Sequence, residues 1–423
     1  MEKTLTTQII ELQEEKPGYK KTKFGWIPED WEIVKLGDAS QIDSDNLTSN
    51  TDPNYVFRYI SLSDIQNKKI QNTLKSVRFK DAPSRAKRVV KKGDILLATV
   101  RPNLKSFAYV ELNDKDLIAS TGFAVITPSS SFDGKYLFNF ILGQKIEAQI
   151  YSLVVGSNYP AINSSDIRNL KIFQPPIKEQ VEIGRTIELW IRSIFCLEQL
   201  IKQKQLHKNA LMQQLLTGKK RLPGFNGEWG EKKLSELFIP IIEKNDGSKH
   251  EPLSISAGKG FVSQKEKFDR VIAGTSLKNY IKIEKGDFVY NKGNSKKYKM
   301  GCIYLLESFE KGLVPFVFIS FRPRKNLEPA FYKHYFINHG LDRQLKRIIT
   351  SGARGDGLLN VSKDDFFNIN VPYFDLNEQN KIGKILDDAD QEIVLLKKKK
   401  EMLQNQKKGL MQQLLTGKKR INQ

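Results

Sequence analysis

Between Pro175-Pro176 and Pro223 the chain contains no proline, and apolar residues recur at a spacing of seven. Ile187, Ile194 and Ile201 form one row, with Trp190 and Leu197 seven apart between them. Such a row is the a/d seam of a long amphipathic helix, and the prolines bound it because they lack an N–H and clash with the preceding turn. A second window, after Pro372 and closing at Gly417, repeats the pattern with Leu386 and Ile393, and with Ala389, Leu396, Leu403 and Leu410. Lys204 stands on the first seam where the second has Leu403, and Lys400 on the second where the first has Ile201. Neither seam is complete alone, so the pattern admits two packings: the helices pair with each other as a coiled coil, or each packs on its own domain. The run 397–400, all lysine, reads as a solvated face beside the seam.

Outside these windows the pattern changes period. Short apolar or alternating runs at 89–90, 94–100, 107–110 and 124–127, and again at 287–290, 302–306 and 314–321, are separated by Gly, Asn, Asp and Pro. They predict strands. One short helix is expected near 134–151 and its counterpart near 329–349. The fold class is α/β (α+β): two sheet-rich domains, each followed by a long helix.

The two halves repeat each other. Residues 211–221 read LMQQLLTGKKR, and residues 410–420 read the same string 199 positions later. At the same offset Glu179-Gln180 meets Glu378-Gln379, Ile183-Gly184 meets Ile382-Gly383, and Gly156 meets Gly355. Further upstream the register drifts, with Lys92-Gly93-Asp94 recurring as Lys285-Gly286-Asp287 and Trp31 with Leu36 as Trp229 with Leu234. Pro17-Gly18-Tyr19 likewise matches Pro223-Gly224-Phe225. The expected organisation is a divergent domain at 1–174, a helical segment at 175–221, a second divergent domain at 222–373 and a second helical segment at 374–423, each half able to fold alone.

Composition adds a partner. The chain has 423 residues, 69 Lys and Arg against 48 Asp and Glu, a net charge of +21 and a pI near 9.6. A polyanion is the first candidate for such a surface. Cys196 and Cys302 show no ligand spacing, which points to a reducing cytosol and away from disulfides or zinc. The first residues carry acids and no apolar core of a signal peptide. The longest apolar stretch, 313–321, is interrupted by Pro315 and is about half the ~20 residues of a membrane helix. A cytoplasmic protein with no membrane span is expected.

Enzyme signatures fail one by one. The Gly218-Lys219 and Gly417-Lys418 steps lack the remaining positions of a phosphate-binding loop, and the glycines at 258, 260, 352, 355 and 357 make no dinucleotide or S-adenosylmethionine fingerprint. The strings Asp52-Pro53-Asn54-Tyr55 and Asn158-Tyr159-Pro160 do not match the loop that holds a target amine in amino-methyltransferases. His207, His250, His334 and His339 are too scattered for a metal cluster. Acidic runs at 364–365 and 387–390 read as caps near helix starts. No catalytic residue, cofactor or metal is expected.

What remains is a set of basic, amide-rich loops. In the first domain Arg78, Lys80, Arg85, Lys87, Arg88, Lys91 and Lys92 precede a strand, and Arg101, Asn103 and Lys105 follow it. In the second, Asn291, Lys292, Asn294, Lys296, Lys297, Tyr298 and Lys299 follow the equivalent strand. Lys and Arg anchor phosphates, and Arg, Asn and Lys in a groove read base edges. Divergence here against identity in the helices suits two readers with different targets.

In this order, twice in one chain, the strings resemble the DNA specificity subunits of type I restriction-modification systems. The resemblance rests on the tandem plan, Pro-Pro-Ile-Lys-Glu-Gln at 175–180 with its copy from Val371-Pro372 to Glu378-Gln379, the LMQQLLTGKKR ends, and the strings at 92–96, 99–103 and 119–123. The second copy lacks the Arg-Pro and Ser-Thr-Gly-Phe strings. The resemblance implies two target recognition domains, an antiparallel coiled coil between them that docks two methyltransferase subunits, and motor-nuclease subunits completing the complex on double-stranded DNA. It makes Ser157, Asn158 and Tyr159, and Arg354 and Asp356, at equal positions in the two copies, candidates for groove contacts. Gly156 and Gly355 there would permit close backbone approach. A coiled-coil scaffold without DNA readout is the competing reading.

Overall fold

A computed structural model of the chain describes residues 16–153, 160–269, 274–293, 298–349 and 358–421. They fall into two compact units, Met1–Leu197 with Lys399–Gln423, and Glu198–Lys398. The units are not the sequential halves. The first long helix, Ile177–Leu215, and the second, Leu376–Leu414, each contribute one part to either unit.

The first unit holds two four-stranded sheets. One runs Ala108–Tyr109, Ile95–Ala98, Phe123–Pro128, Ser40–Ile42, with Ile95 opposite Ile126. The other runs Ser76–Arg78, Val56–Ile60, Leu117–Ser120, Ala86–Val90, in which Leu117–Ser120 pairs parallel to Val56–Ile60 and antiparallel to Ala86–Val90. Ile95, Leu96, Leu97 and Ala98 are all buried, as a strand covered on both faces requires. In the second unit the main sheet runs Phe238–Ile241, Ile319–Pro323, Phe288–Asn291, Cys302–Leu305. Its core is aromatic, with Phe238, Phe288, Phe321 and Phe336 in mutual contact.

Matched details show why the repeat strings are kept. In Lys92-Gly93-Asp94 and Lys285-Gly286-Asp287 the glycines take φ of 96° and 93°, left-handed values that cost other residues strain. The turn buries each following aspartate, which accepts from a backbone N–H three residues earlier, at Lys91 and at Glu284, both at 2.7 Å. Thr127 donates to Asp94, and Arg322 to Asp287, so neither buried carboxylate lacks a partner.

Several expectations are corrected. The helix expected at 134–151 is two, Gly134–Ile141 and Gln144–Leu153, broken where Gly143 closes a tight turn onto the Phe140 carbonyl. Its counterpart is also two, Pro329–Ile337 and Asp342–Ile348, because His339 takes a φ of 62° that a helix interior does not accommodate. The run 314–321 is split between the ends of Lys311–Val314 and Ile319–Pro323. Pro315 removes a ladder donor, and its carbonyl accepts from Phe318 in a turn. Asp364 and Asp365 do occupy the first turn of a helix, capped by Ser362. Asp387 and Asp390 instead lie well inside the second long helix, paired with Lys333 and His334 and with Lys208.

Candidate nucleic-acid interface

The loops that diverge between the copies rest on a frame that does not. In the first unit Glu179 is buried near the start of the first long helix and accepts from Trp31 Nε1 at 3.0 Å, Arg420 Nε at 2.7 Å and Arg420 Nη2 at 2.8 Å. In the second, Glu378 accepts from Trp229 Nε1 at 3.2 Å, Arg221 Nε at 2.8 Å and Arg221 Nη2 at 2.6 Å. A paired, bidentate guanidinium is what makes a buried carboxylate tolerable. The adjacent glutamines repeat the theme: Gln180 accepts from Asp133 N and donates to the Pro175 carbonyl, and Gln379 does the same with Glu328 N and Phe374. Each arginine comes from the LMQQLLTGKKR string of the other half. Leu414 and Leu415 are buried in the first unit's core, and Met212, Leu215 and Leu216 in the second's.

Within each unit the long helices run antiparallel. In the second, Lys204 meets Glu392 at 2.7 Å and Lys208 meets Asp390 at 2.5 Å, one index rising as the other falls. Of the seam residues, Ile187, Ile194, Leu197, Leu386 and Ile393 are buried, whereas Trp190, Ile201, Leu396 and Leu403 are half-buried.

On this frame the candidate loops are joined in pairs by backbone. In the first unit Val100 bridges Ala161, Ile162 N donates to the Thr99 carbonyl, and Arg101 N donates to the Pro160 carbonyl at 2.7 Å. The loop beginning at Arg101 therefore starts beside the point where 154–159 rejoins the described chain. In the second unit Gly293 bridges Leu358, and Leu359 N donates to the Lys292 carbonyl at 2.9 Å. Again the residues that follow the strand are joined to the point where 350–357 rejoins the described chain. Arg101 and Lys105 both adopt left-handed φ of 50°, bracketing a turn that exposes Asn103 and Leu104. Two non-glycine residues held there cost conformational energy, a pattern that concentrates at binding loops.

The remaining candidates do not all converge. Arg85 is exposed beside the edge strand Ala86–Val90, which carries the exposed Lys87, whereas Arg78 ends the opposite edge strand of the same sheet. Residues contiguous in sequence are thus divided between two sheet edges. Arg88 is an internal brace, 3.1 Å from Asp43 and 2.9 Å from Asn46 Oδ1. Lys105 pairs with Glu147 at 2.9 Å, and Asn291 folds back onto Gly293 N and the Ile255 carbonyl. Tyr298 is drawn inward: at 8% exposure it belongs to a core with Leu253, Ile255 and Val289, because an aromatic ring beside a small sheet buries more area inward than a loop position offers. Ser157, Asn158, Tyr159, Asn294, Lys296, Lys297, Arg354 and Asp356 lie outside the described residues. Among the described residues no group of three or more His, Cys, Asp or Glu is placed to hold a metal ion, and no helix is long and apolar enough to cross a membrane.

Comparison with known proteins agrees with this duplicated frame. The type I restriction modification DNA specificity domain matches twice, at 28–208 and 226–405. A putative type I restriction enzyme MjaX specificity subunit from Methanocaldococcus jannaschii is 22% identical over 95% of this chain and 97% of its own. The type I restriction enzyme HindI specificity subunit of Haemophilus influenzae is 29% identical over 36% of this chain and 34% of its own. Among solved structures, the HsdS subunit from Thermoanaerobacter tengcongensis superposes with a TM-score of 0.56 at 24% identity, covering 92% of this chain and 98% of that one. A chain from a type I restriction-modification complex superposes with a TM-score of 0.59 at 23% identity, covering 92% and 99%. With the specificity domain matched in both halves, this chain belongs to the type I restriction-modification DNA specificity family.

Proposed function

We propose that the protein is the sequence-specificity subunit of a type I restriction-modification complex, in which recognition domains at 1–174 and 222–373 each read one half of a bipartite, asymmetric DNA target. The helical segments at 175–221 and 374–423 hold the two readers and dock two methyltransferase subunits. Motor-nuclease subunits complete the assembly, in the cytoplasm. The chain itself catalyses nothing; S-adenosylmethionine and the chemistry belong to its partners.

The observation that carries this reading is the pairing of two divergent loop clusters, at 99–105 with 160–162 and at 291–293 with 358–359, on two copies of one Trp-Glu-Arg anchor. A frame kept constant while its loops vary is what two readers with different half-sites require. In the first domain Arg101 and Asn103 are the leading base-reading candidates, with Arg78, Arg85 and Lys87 as phosphate anchors. In the second, Lys292 leads, and the loops outside the described residues supply the rest.

The methylome of host cells with and without the gene is the direct test. A split, asymmetric motif methylated only in its presence is expected. An unchanged methylome, together with no DNA binding by the complex reconstituted with methyltransferase subunits, would instead favour the scaffold reading.

A further inference from the structure

On their helical frame the two units differ at the pair that holds Lys208 in the second, and the difference leaves a charge without that partner in the first. In the second unit Lys208, almost wholly buried, meets Asp390. Its copy 199 residues on is Lys407, in the first unit, and the copy of Asp390 is Ile191. Lys407 and Ile191 line the same pocket, and no carboxylate lies within ion-pair distance of Lys407 among the described residues. Two carboxylates share that lining, Glu111 and Glu188, and neither pairs with Lys407; Glu188 is committed to Arg192 at 2.8 Å and to Lys135 at 3.7 Å.

Lys407 also borders a larger cavity of about 1030 Å³, built wholly from first-unit residues. Among the described residues seven lysines line it against a single carboxylate, Glu147, which Lys105 already holds. The rings of Phe24, Trp26 and Phe140 line it as well. Desolvation around the Lys407 and Lys68 ammonium groups lowers both below the ordinary lysine range, with Lys407 and then Lys105 adding repulsion at Lys68. Folding has crowded like charges into a partly dry space, an arrangement that destabilises the unit until an anion neutralises it.

We propose that this cavity is a binding site for a small polyphosphate anion, held by Lys68, Lys105 and Lys407 and steered in by Lys408 and Lys418. The ligand replaces the carboxylate that Asp390 supplies to the second unit. Because Trp26 and Phe24 line the cavity with the lysines, the phosphate chain can arrive free or attached to a nucleoside whose base packs on those rings, and the two sources are separable by experiment.

The test is differential scanning calorimetry of the full chain, folding of each variant being verified by circular dichroism, with sodium tripolyphosphate and a nucleoside triphosphate as probes and sodium chloride matched for ionic strength. At about 100 times the dissociation constant, tripolyphosphate should raise the first unit's transition by roughly 5–10 °C. Tighter binding of the nucleoside triphosphate assigns the rings to a base; equal binding assigns the site to the phosphate chain alone. K68Q/K407Q should abolish the shift, and so should I191D, which restores the missing carboxylate without removing a lysine. K292A, in the other unit's loop, should retain it. No shift, a shift that survives in both cavity variants, or equal losses of duplex DNA affinity and tripolyphosphate binding in K68Q/K407Q would overturn the proposal. The last result would make the cavity part of the DNA surface.

Discussion

Arg420→Ala isolates the anchor on which the first unit's frame depends. The variant removes two charge-assisted hydrogen bonds from Glu179, whose side chain is only 1% exposed, and leaves that carboxylate with Trp31 Nε1 alone. Breaking a fully buried pair from one side costs about 3–5 kcal/mol. The Arg420 side chain is 35% exposed, so water can follow the deletion and the upper end of that range does not apply. Its second partner, Asp30, is a rim contact with a side chain 48% exposed, of the kind that contributes about 0–1 kcal/mol. Together these give about 2–4 kcal/mol of destabilisation, or roughly 5–12 °C in melting temperature for a unit of this size. Calorimetry of the full chain reads this directly, and the loss should fall on the transition of the first unit. Arg221→Ala should act on the other, since it removes the equivalent bonds to Glu378. Glu179→Gln in the Arg420→Ala background removes the orphaned charge and should recover more than half the loss. A shift below about 0.5 kcal/mol for Arg420→Ala, or a double variant no more stable than the single one, would refute the argument that a buried carboxylate is the element being satisfied.

The other predictions rest on the same geometry. A fragment of residues 1–221 lacks Leu414, Leu415 and Arg420, so it should be unfolded or aggregated as a monomer and fold as a dimer in which the partner's own tail supplies Leu215, Leu216 and Arg221; light scattering checks this, and a stable folded monomer contradicts it. With methyltransferase subunits that dimer should methylate a palindrome built from the first half-site, and adding Arg221→Ala should abolish both dimer and methylation. For the intact complex, log affinity for duplex DNA should fall linearly with log salt at about −0.9 per phosphate contact, and a flat dependence excludes phosphate neutralisation. Arg101→Ala or Lys292→Ala should cost about 1–3 kcal/mol with altered base preference if the side chain reads a base, and weaken all sequences alike if it touches phosphate, as binding to half-site libraries will show. Matched insertions of four residues after Gln203 and after Met402, about one helical turn each, should lengthen the unspecified spacer and leave both half-sites unchanged, a result a methylome reports and a change in half-site bases refutes.

Periodicity and repetition are local or pairwise properties of the string, and what they determine was legible in it. The seven-residue rows located both long helices because a helix must turn one face to a core whatever that core is. The 199-residue offset identified the copies, and the Lys-Gly-Asp turns and Glu-Gln pairs marked positions where a left-handed glycine or a buried acid has few substitutes. The family followed from those strings in order. The tertiary structure decided which copy satisfies which. Trp31, Glu179 and the Lys-Lys-Arg tail are all visible in sequence, yet the tail that closes the first unit is the one 241 residues from Glu179, not its own. Two identical strings bind either anchor equally well, so only chain geometry distinguishes them, and a half that looks complete in sequence lacks part of its core. The same holds for the candidate interface. Arg78, Arg85 and Arg88 are neighbours along the chain, but pairing order sends them to two sheet edges and an internal ion pair, and burial draws Tyr298 inward. Local composition records that charge is present; strand order and the competition of each side chain between water, a carboxylate and the core decide where that charge can meet DNA.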